Sequence, residues 1–293
     1  MPIIYAFITV LAWGSWLIPS QRINFSNAHV RTLYVAIANL ALASFVFVAR
    51  GNQGITLQTA WLPLIGGLIW AVSGYCAFTA TDKIGLTMAV GVWTPLNIIV
   101  GMLWGVLLFD EFVGADISTL LLLVISLAMM ISGILIIIFA RGRDGQRHLG
   151  PTYMGGLLAA IGAGILWGSY FIPIKISQQS MWEAAFPLAI GMFAGAAILM
   201  LVSRGSPKLN RRRDYALASL SGLLWGIGNY GMLLMTETIG TGPGFAIAQL
   251  GLIINVLFGI FLYHDPRAGT RAAKITFVGV ILALVGGIIL GNL

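Results

Sequence analysis

Residues 13–21 read WGSWLIPSQ, and residues 167–175 read WGSYFIPIK. Both stretches lie inside long apolar runs and keep Trp, Gly, Ser, an aromatic residue, Ile and Pro in the same order. A biased composition could produce a match of three residues, but it does not account for six in register, 154 positions apart. The repeated phrase therefore indicates that the chain contains an internal duplication.

The composition predicts a membrane protein. Apolar residues make up 59% of the 293 residues and charged residues 9%, whereas soluble domains have roughly 45–50% and about 25%. The charges are clustered, which leaves ten charge-free stretches that are each about as long as, or longer than, the roughly 17–25 residues of a membrane-crossing helix. These stretches are 1–21, 32–49, 51–81, 84–109, 117–140, 149–174, 184–203, 215–236, 238–263 and 275–293. We expect an all-α polytopic membrane protein with ten transmembrane helices, here called spans 1 to 10.

The basic residues predict an orientation, because Lys and Arg collect in cytoplasmic loops. Two of them, Arg50 and Lys175, lie in loops that follow even-numbered spans. The other fourteen lie in loops after odd-numbered spans: Arg22, Arg31, Lys83, Arg141, Arg143, Arg147, Arg204, Lys208, Arg211, Arg212, Arg213, Arg267, Arg271 and Lys274. We therefore expect a multi-pass protein of the cell (inner) membrane with both termini outside.

A second pair of blocks extends the duplication. Residues 70–85 and 225–240 match at an offset of 155, with Trp70 falling on Trp225. Each copy then holds five spans, and because five is odd the second copy is inverted in the membrane relative to the first. The predicted organisation is a first five-helix repeat at 1–140, a cytoplasmic linker at 141–151 and a second five-helix repeat at 152–293.

Inverted repeats favour a secondary transporter over other classes. One half can adopt the conformation that the other half has just left, which exposes a central site to each side in turn. The three histidines, His29, His148 and His264, lie in separate loops, and no Walker-type glycine loop is present, so neither an enzyme nor an ATP-driven pump is predicted. We expect no metal, cofactor or nucleic-acid partner. A channel is less favoured, because no ring of like charges is visible.

Ten spans, a five-plus-five duplication, and acidic residues Asp110 and Asp265 that close the fourth and ninth apolar runs resemble the drug/metabolite transporter superfamily. The WGSxxxP phrase is similar to the first and sixth helices of its glucose/ribose porter and rhamnose transporter branch, where the phrase leads to Pro and often to Lys. Residues 173–175 match that ending, whereas Gln21 stands in place of Lys in the first copy. The resemblance implies that spans 1, 3, 4, 6, 8 and 9 surround a central cavity.

Polar and aromatic residues on these spans are the predicted substrate-binding residues, because polar groups inside a membrane usually face a cavity or a helix interface. Span 4 shows the pattern, since Trp93, Asn97 and Trp104 fall on one helical face. Packing between helices is the alternative for each residue. The predicted set is Trp13, Ser15, Trp16, Trp70, Ser73, Trp93, Asn97, Trp104, Trp167, Ser169, Tyr170, Lys175, Trp225, Asn229, Tyr230, Gln249 and Asn255.

This set predicts a small neutral polar substrate, with a sugar or polyol as the first choice. Aromatic faces suit the C–H face of a sugar ring, and amides and hydroxyls suit its OH groups. Anionic substrates are disfavoured, because Lys175 is the single cationic candidate and phosphates need several donors. A quaternary amine is a rival, since aromatic cages bind such cations, and amino acids or other small metabolites are further alternatives.

Coupling and gating have two candidate residues each. Glu237 and Asp82 are candidates for coupling to a proton or cation, with a solvated helix end or an uncoupled carrier as the alternative, and Asp82 already has Lys83 beside it. Pro19 and Pro173 interrupt their helices near opposite membrane faces. We expect the two proline segments to be the inner and outer gates, with ordinary kinks as the alternative. The oligomeric state stays open.

Topology can be tested directly. A reporter fused after Leu293 should be found outside, and one inserted within 204–213 should be found in the cytoplasm, because three predicted spans separate the two sites. Alkaline phosphatase and green fluorescent protein activities would report the two sides. Finding both sites on the same side would contradict the inverted repeat.

Overall fold

The computed structural model describes residues 2–51, 55–110, 112–140, 150–203, 205–239 and 247–293, apart from the side chains of Pro2, Leu57, Thr236, Glu237 and Ile239. Within these ranges the chain is helical and has no β-strand, which confirms the all-α prediction. The helices are α1 (Pro2–Ser15), α2 (Ala28–Ala49), α3 (Leu57–Ile84), α4 (Leu86–Leu108), α5 (Ile117–Ala140), α6 (Pro151–Trp167), α7 (Ile172–Ser177), α8 (Met181–Ser203), α9 (Arg212–Ile239), α10 (Gly251–Phe261) and α11 (Arg271–Leu290).

Eight helical segments of the described chain are long and apolar enough to cross a membrane, with α6 and α7 taken together as one segment. This supports a multi-pass membrane protein. The two remaining helices, α1 and α10, are apolar but shorter. The 14 residues of α1 cover only about 21 Å of a hydrocarbon core of roughly 30 Å, because the helix ends inside its charge-free stretch. The ten spans therefore stay a prediction.

The repeated phrase interrupts a helix in each copy. After α1 the chain runs through turns at residues 16–22, here called break 1, and after α6 it turns at residues 168–171, here called break 2. Pro19 lies within break 1. Pro173 lies in the first turn of α7, where a proline fits because that position needs no N–H donor. Each interruption thus begins before its proline.

The two breaks contain the same local backbone hydrogen bond. A proline cannot bond to the carbonyl four residues earlier, and in both copies that carbonyl belongs to the serine of the repeated phrase. The N–H of Ile18 donates to the Ser15 carbonyl at 3.0 Å. Likewise, the N–H of Ile172 donates to the Ser169 carbonyl at 3.1 Å. Each serine hydroxyl also donates to the carbonyl four residues earlier, Ser15 to Leu11 at 2.6 Å and Ser169 to Ile165 at 2.8 Å.

Helices from the two halves of the chain pack against each other. α3 contacts α6 and α8, α9 contacts α1 and α2, α4 contacts α6 and α10, and α5 contacts α11. The α5–α11 contact is backbone to backbone. A Cβ built on Gly133 would lie 2.5 Å from the Gly279 carbonyl oxygen, and one on Gly279 would lie 2.8 Å from the Gly133 carbonyl oxygen. Both positions therefore require glycine.

We expect Gly133→Ala and Gly279→Ala each to lower the free energy of unfolding by about 1–3 kcal/mol, because an added methyl group overpacks the contact. Thermal and denaturant unfolding of purified protein in detergent would measure the change. Gly150→Ala is the matched control, because a Cβ there would have no heavy atom within 4 Å. Equal stability of all three variants would contradict the backbone contact.

Candidate binding cavity

A cavity lies between break 1 and break 2. It encloses about 510 Å³ of empty space, its open mouth included. Break 1 and break 2 both contribute to its wall, together with α1, α4, α6, α9, α10 and the residues just before α10. The lining residues are Trp13, Trp16, Leu17, Val90, Trp93, Thr94, Asn97, Trp167, Tyr170, Trp225, Ala248, Gln249, Gly251, Leu252 and Asn255.

One group of aromatic rings is held by edge-on contacts. The ring of Trp167 lies 5.3 Å from that of Trp93 at an interplanar angle of 81°, and 5.9 Å from that of Trp16 at 71°. Such T-shaped pairs are favourable, because the positive edge of one ring meets the negative face of the other. The group presents fixed ring surfaces to the cavity.

A second aromatic group is fixed by hydrogen bonds. The rings of Trp13 and Trp225 stack at 6.4 Å with an interplanar angle of 28°, and the Trp13 Nε1–H donates to the Trp225 carbonyl at 3.2 Å. The ring of Tyr170 lies 6.4 Å from that of Trp225. Its hydroxyl donates to Asn229 Oδ1 at 2.9 Å. Residues far apart in sequence therefore form one rigid wall.

Among the described residues, three polar atoms of the lining are buried without a hydrogen-bond partner: Asn97 Oδ1, Asn255 Oδ1 and Trp167 Nε1. The orientation of Asn255 is fixed, because its Nδ2 donates to the Trp13 carbonyl at 2.9 Å and to the Gly251 carbonyl at 3.2 Å. Buried polar groups normally find a partner in the protein, in water or in a ligand. An occupant that reaches these three atoms would find two acceptors and one donor.

The described part of the lining carries no charged side chain. A phosphate or carboxylate would have to leave water without a Lys or Arg to pair with it, which is costly. An inorganic or strongly basic cation would likewise find no carboxylate among these residues. The electrostatics therefore favour a neutral occupant, or a diffuse cation held by the aromatic rings.

The glycine of the repeated phrase brings α4 and α10 close to the breaks. A Cβ on Gly14 would lie 2.6 Å from the Cβ of Ile254 in α10. A Cβ on Gly168 would lie 2.7 Å from both the Asn97 carbonyl oxygen and the Val100 Cβ in α4. Only glycine permits these approaches, and the approached segments carry the two asparagines of the cavity. The phrase therefore positions the amide groups as well as the rings.

A sequence profile described as "Sugar transport protein" matches residues 4–293. The chain belongs to the sugar transport protein family. Membership in this family indicates a membrane transporter rather than an enzyme.

Several members of the sugar transport protein family align with nearly the whole chain. A protein of Bacillus cereus that is provisionally named a sugar uptake protein is 28% identical over 293 residues, covering 99% of each chain. A protein of Enterococcus faecalis with the same provisional name is 28% identical over 295 residues, again covering 99% of each. A Bacillus anthracis protein provisionally named for glucose uptake is 22% identical over 292 residues, with 99% of each chain covered.

The fold of this family member also matches a solved crystal structure. The TM-score is 0.64 over 99% of this chain and 97% of the other, at 17% sequence identity. At that identity the match supports the helical fold alone.

In this sugar transport family member, nine of the seventeen predicted binding residues come together in the lining. They are Trp13, Trp16, Trp93, Asn97, Trp167, Tyr170, Trp225, Gln249 and Asn255. Their contact with a substrate stays a prediction. Two more predicted residues support the lining from behind: Trp70 is fully buried with its ring 4.7 Å from that of Trp225, and Asn229 accepts the hydrogen bond from Tyr170.

The other six predicted residues make contacts outside the lining. Two of them donate to a backbone carbonyl of the preceding turn, Ser15 Oγ to Leu11 and Ser73 Oγ to Trp70. Trp104 Nε1 donates to Ser169 Oγ. The ring of Tyr230 packs against that of Trp182, and the Lys175 ammonium lies 4.0 Å from the centre of the Phe109 ring. A serine in a helix can turn its hydroxyl onto a carbonyl of the preceding turn, so a polar residue inside a span does not require a cavity.

The sequence analysis missed six lining residues: Leu17, Val90, Thr94, Ala248, Gly251 and Leu252. Most are apolar or small, and they resemble lipid-facing residues in a single sequence. A signal existed for two of them, because Val90 and Thr94 share a helical face with Trp93 and Asn97 at spacings of three and four. The rest depend on where the breaks lie.

Of the two coupling candidates, Asp82 does not line the cavity. Asp82 is 55% exposed and lies 3.8 Å from Arg31 through its Oδ1. The side chain of Glu237 lies outside the described residues. Both stay candidates.

We expect Trp93→Ala and Trp225→Ala to weaken sugar binding by about tenfold or more, because each removes a large ring surface. Asn97→Ala should weaken it by roughly threefold to tenfold, through one lost hydrogen bond. Isothermal titration or ligand-dependent thermal shift of purified protein would measure both effects. Trp61→Ala is the matched control, because Trp61 is 54% exposed on the outer surface of the helix bundle. Unchanged affinity in all three cavity variants would contradict the assignment of the cavity.

Proposed function

We propose that this protein is an alternating-access carrier of a small neutral sugar. The observation that carries the proposal is the cavity between two interrupted helices. Its described lining has no charged side chain, and its aromatic rings surround amide and indole groups that have no partner among the described residues. The family description and the names of the relatives support sugar as the class of substrate. Interrupted helices around a central site are a recurring feature of secondary transporters.

The unpaired groups favour a sugar over the rival substrates. A sugar hydroxyl can donate to Asn97 Oδ1 or Asn255 Oδ1 and accept from Trp167 Nε1. A quaternary ammonium has no N–H or O–H group, so it would leave these buried atoms unsatisfied, which costs free energy. A sugar phosphate would lack the cationic partners it needs.

Reciprocal close contacts support two inverted repeats. Gly67 in α3 and Gly222 in α9 are equivalent at an offset of 155. A Cβ on Gly67 would collide with the Leu188 carbonyl of α8, and one on Gly222 would lie 2.5 Å from the Val35 carbonyl of α2. Each glycine therefore packs on the second span of the other copy. We propose ten spans in two inverted five-helix repeats, at 1–140 and 152–293, with residues 141–151 as the cytoplasmic linker.

The two breaks are the proposed gates. Pro19 and Pro173 belong to equivalent segments, and in the proposed inverted repeat break 1 lies toward the inner face and break 2 toward the outer face. The cavity lies between them, so movement of either segment would open it to one side. For a proton-coupled cycle we propose Glu237 rather than Asp82, because Asp82 is already paired with Arg31; an uncoupled carrier is the alternative.

The proposed superfamily and the proposed membrane orientation both rest on the inverted repeat. We propose that the protein belongs to the drug/metabolite transporter superfamily, near its glucose/ribose and rhamnose branch, and that it lies in the inner membrane with both termini outside. The positive-inside distribution of Lys and Arg supports this orientation.

Counterflow in proteoliposomes tests the proposed function. Vesicles loaded with unlabelled glucose should take up labelled glucose transiently above its equilibrium level, because a carrier exchanges substrate across a site that faces one side at a time. Trp93→Ala should reduce the overshoot, and Trp61→Ala should leave it unchanged. Glucose 6-phosphate and choline should not compete.

Two outcomes would contradict the proposal. Equilibration of glucose without an overshoot would indicate a channel. Competition by choline, with no glucose uptake, would indicate a carrier of quaternary amines.

A further inference from the structure

One buried arginine holds break 1 in place. Arg31, near the start of α2, is 2% exposed. Its Nη2 donates to the Leu17 carbonyl at 3.3 Å and to Gln21 Oε1 at 3.0 Å. Its Nε donates to Ser20 Oγ at 3.1 Å. A single guanidinium group therefore contacts break 1 at three points.

The same group joins break 1 to α3. The Nη1 of Arg31 donates to Thr81 Oγ1 at 3.3 Å and lies 3.8 Å from Asp82 Oδ1. Four of the five N–H groups of the guanidinium thus have a hydrogen-bond acceptor, and the carboxylate of Asp82 lies at ion-pair distance. Its central carbon also lies 4.3 Å from the centre of the Phe78 ring, a cation–π geometry that stabilises a buried charge.

The network continues into the second half of the chain. The hydroxyl of Ser221 in α9 donates to the hydroxyl of Ser20 at 2.8 Å. Both serines are buried, at 0% and 1% exposure. Break 1, α2, α3 and α9 are therefore fastened together at one end of the bundle, the end that the basic residues predict to be cytoplasmic.

This network lies directly behind the cavity wall. Leu17 is bonded to Arg31 through its carbonyl, and it is one of the residues that line the cavity. Trp16 also lines the cavity, and its ring packs against that of Phe78 at 5.6 Å. An occupant that contacts Trp16 and Leu17 thus touches the segment that Arg31 holds.

We propose that Arg31 is a positioning residue that keeps the inner end of the cavity closed by fixing break 1 to α3 and α9. The proposal rests on the proposed function, because it takes the cavity as the substrate site. Opening toward this end requires break 1 to move, and the bonds to Leu17, Ser20 and Gln21 oppose that movement. A substrate that binds differently to the closed and open arrangements shifts the equilibrium between them.

The test measures access to Leu17→Cys in a Cys76→Ala background. Inverted membrane vesicles, without sugar, are treated at their cytoplasmic face with a membrane-impermeant maleimide. Adding Arg31→Gln should increase the labelling rate about tenfold or more, because the open arrangement becomes more populated. Arg213→Gln, an exposed arginine at the same end, is the matched control and should label at the parent rate.

A second labelling site distinguishes opening at break 1 from a general destabilisation of the helix bundle. Phe171→Cys lies in break 2, and its labelling from the outer face of right-side-out vesicles should not rise with Arg31→Gln. Equal increases at both probes would indicate a purely structural role and would overturn the proposal. An unchanged rate at Leu17→Cys would overturn it as well.

Two further variants address the chemistry and the folding of the test protein. Arg31→Lys keeps the charge but cannot serve all the acceptors at once, so it should also label faster than the parent, and full rescue would overturn the proposal. If Arg31→Gln does not fold, the double variant Ser20→Ala with Ser221→Ala removes the link to α9. It should also increase labelling at Leu17→Cys, and a parent rate would overturn the proposal.

Glucose distinguishes the two proposals. Labelling without sugar reports on Arg31 alone. Failure of glucose to alter labelling of the parent would count against the proposed sugar site and would leave the role of Arg31 standing.

Discussion

Inside a bilayer, backbone N–H and C=O groups have no water to bond with, so each interruption of a helix must be satisfied within the protein. Both breaks meet this constraint by the same bond, from the residue before the proline to the serine carbonyl of the repeated phrase. Other backbone carbonyls in and next to break 1 accept hydrogen bonds from polar side chains. Tyr263 donates to the Ile18 carbonyl at 2.8 Å, Asn255 to Trp13 and Arg31 to Leu17. The polar centre of the molecule is thus a consequence of the breaks.

Much of the cavity lining could be predicted from the sequence, because its residues combine an unusual chemistry with a helical spacing. Trp93 and Asn97 were found in this way, and Trp16 and Tyr170 were found through the duplication. Leu17 and Leu252 could not be found, because an apolar residue at a cavity looks the same in sequence as one that faces lipid. Their place depends on where the helices stop, which is decided by hydrogen bonds between distant segments.

The ends of the helices and the contacts of Arg31 also could not be predicted from the sequence. A charge-free stretch predicts that a segment crosses the membrane, but it does not reveal that α1 stops at Ser15. In the sequence Arg31 counts only as one more positive charge that orients the chain. Its burial requires acceptors from break 1 and from α3, including Thr81 and Asp82. No local sequence pattern predicts that these segments lie together. Polar contacts between residues far apart in the chain were therefore the part of the structure that could not be predicted from the sequence.

The arginine belongs to one copy only. At the offsets of the duplication, 154 or 155, its counterpart is Ala185 or Phe186 in α8, and neither can donate a side-chain hydrogen bond. If Arg31 holds break 1 closed as proposed, the inner gate is held by a contact that its counterpart in the other copy lacks, and the arrangement that is closed at the inner end is favoured. The apparent affinity for the transported molecule would then differ between the two sides of the membrane, while the direction of net transport through an uncoupled carrier would still follow the concentration gradient.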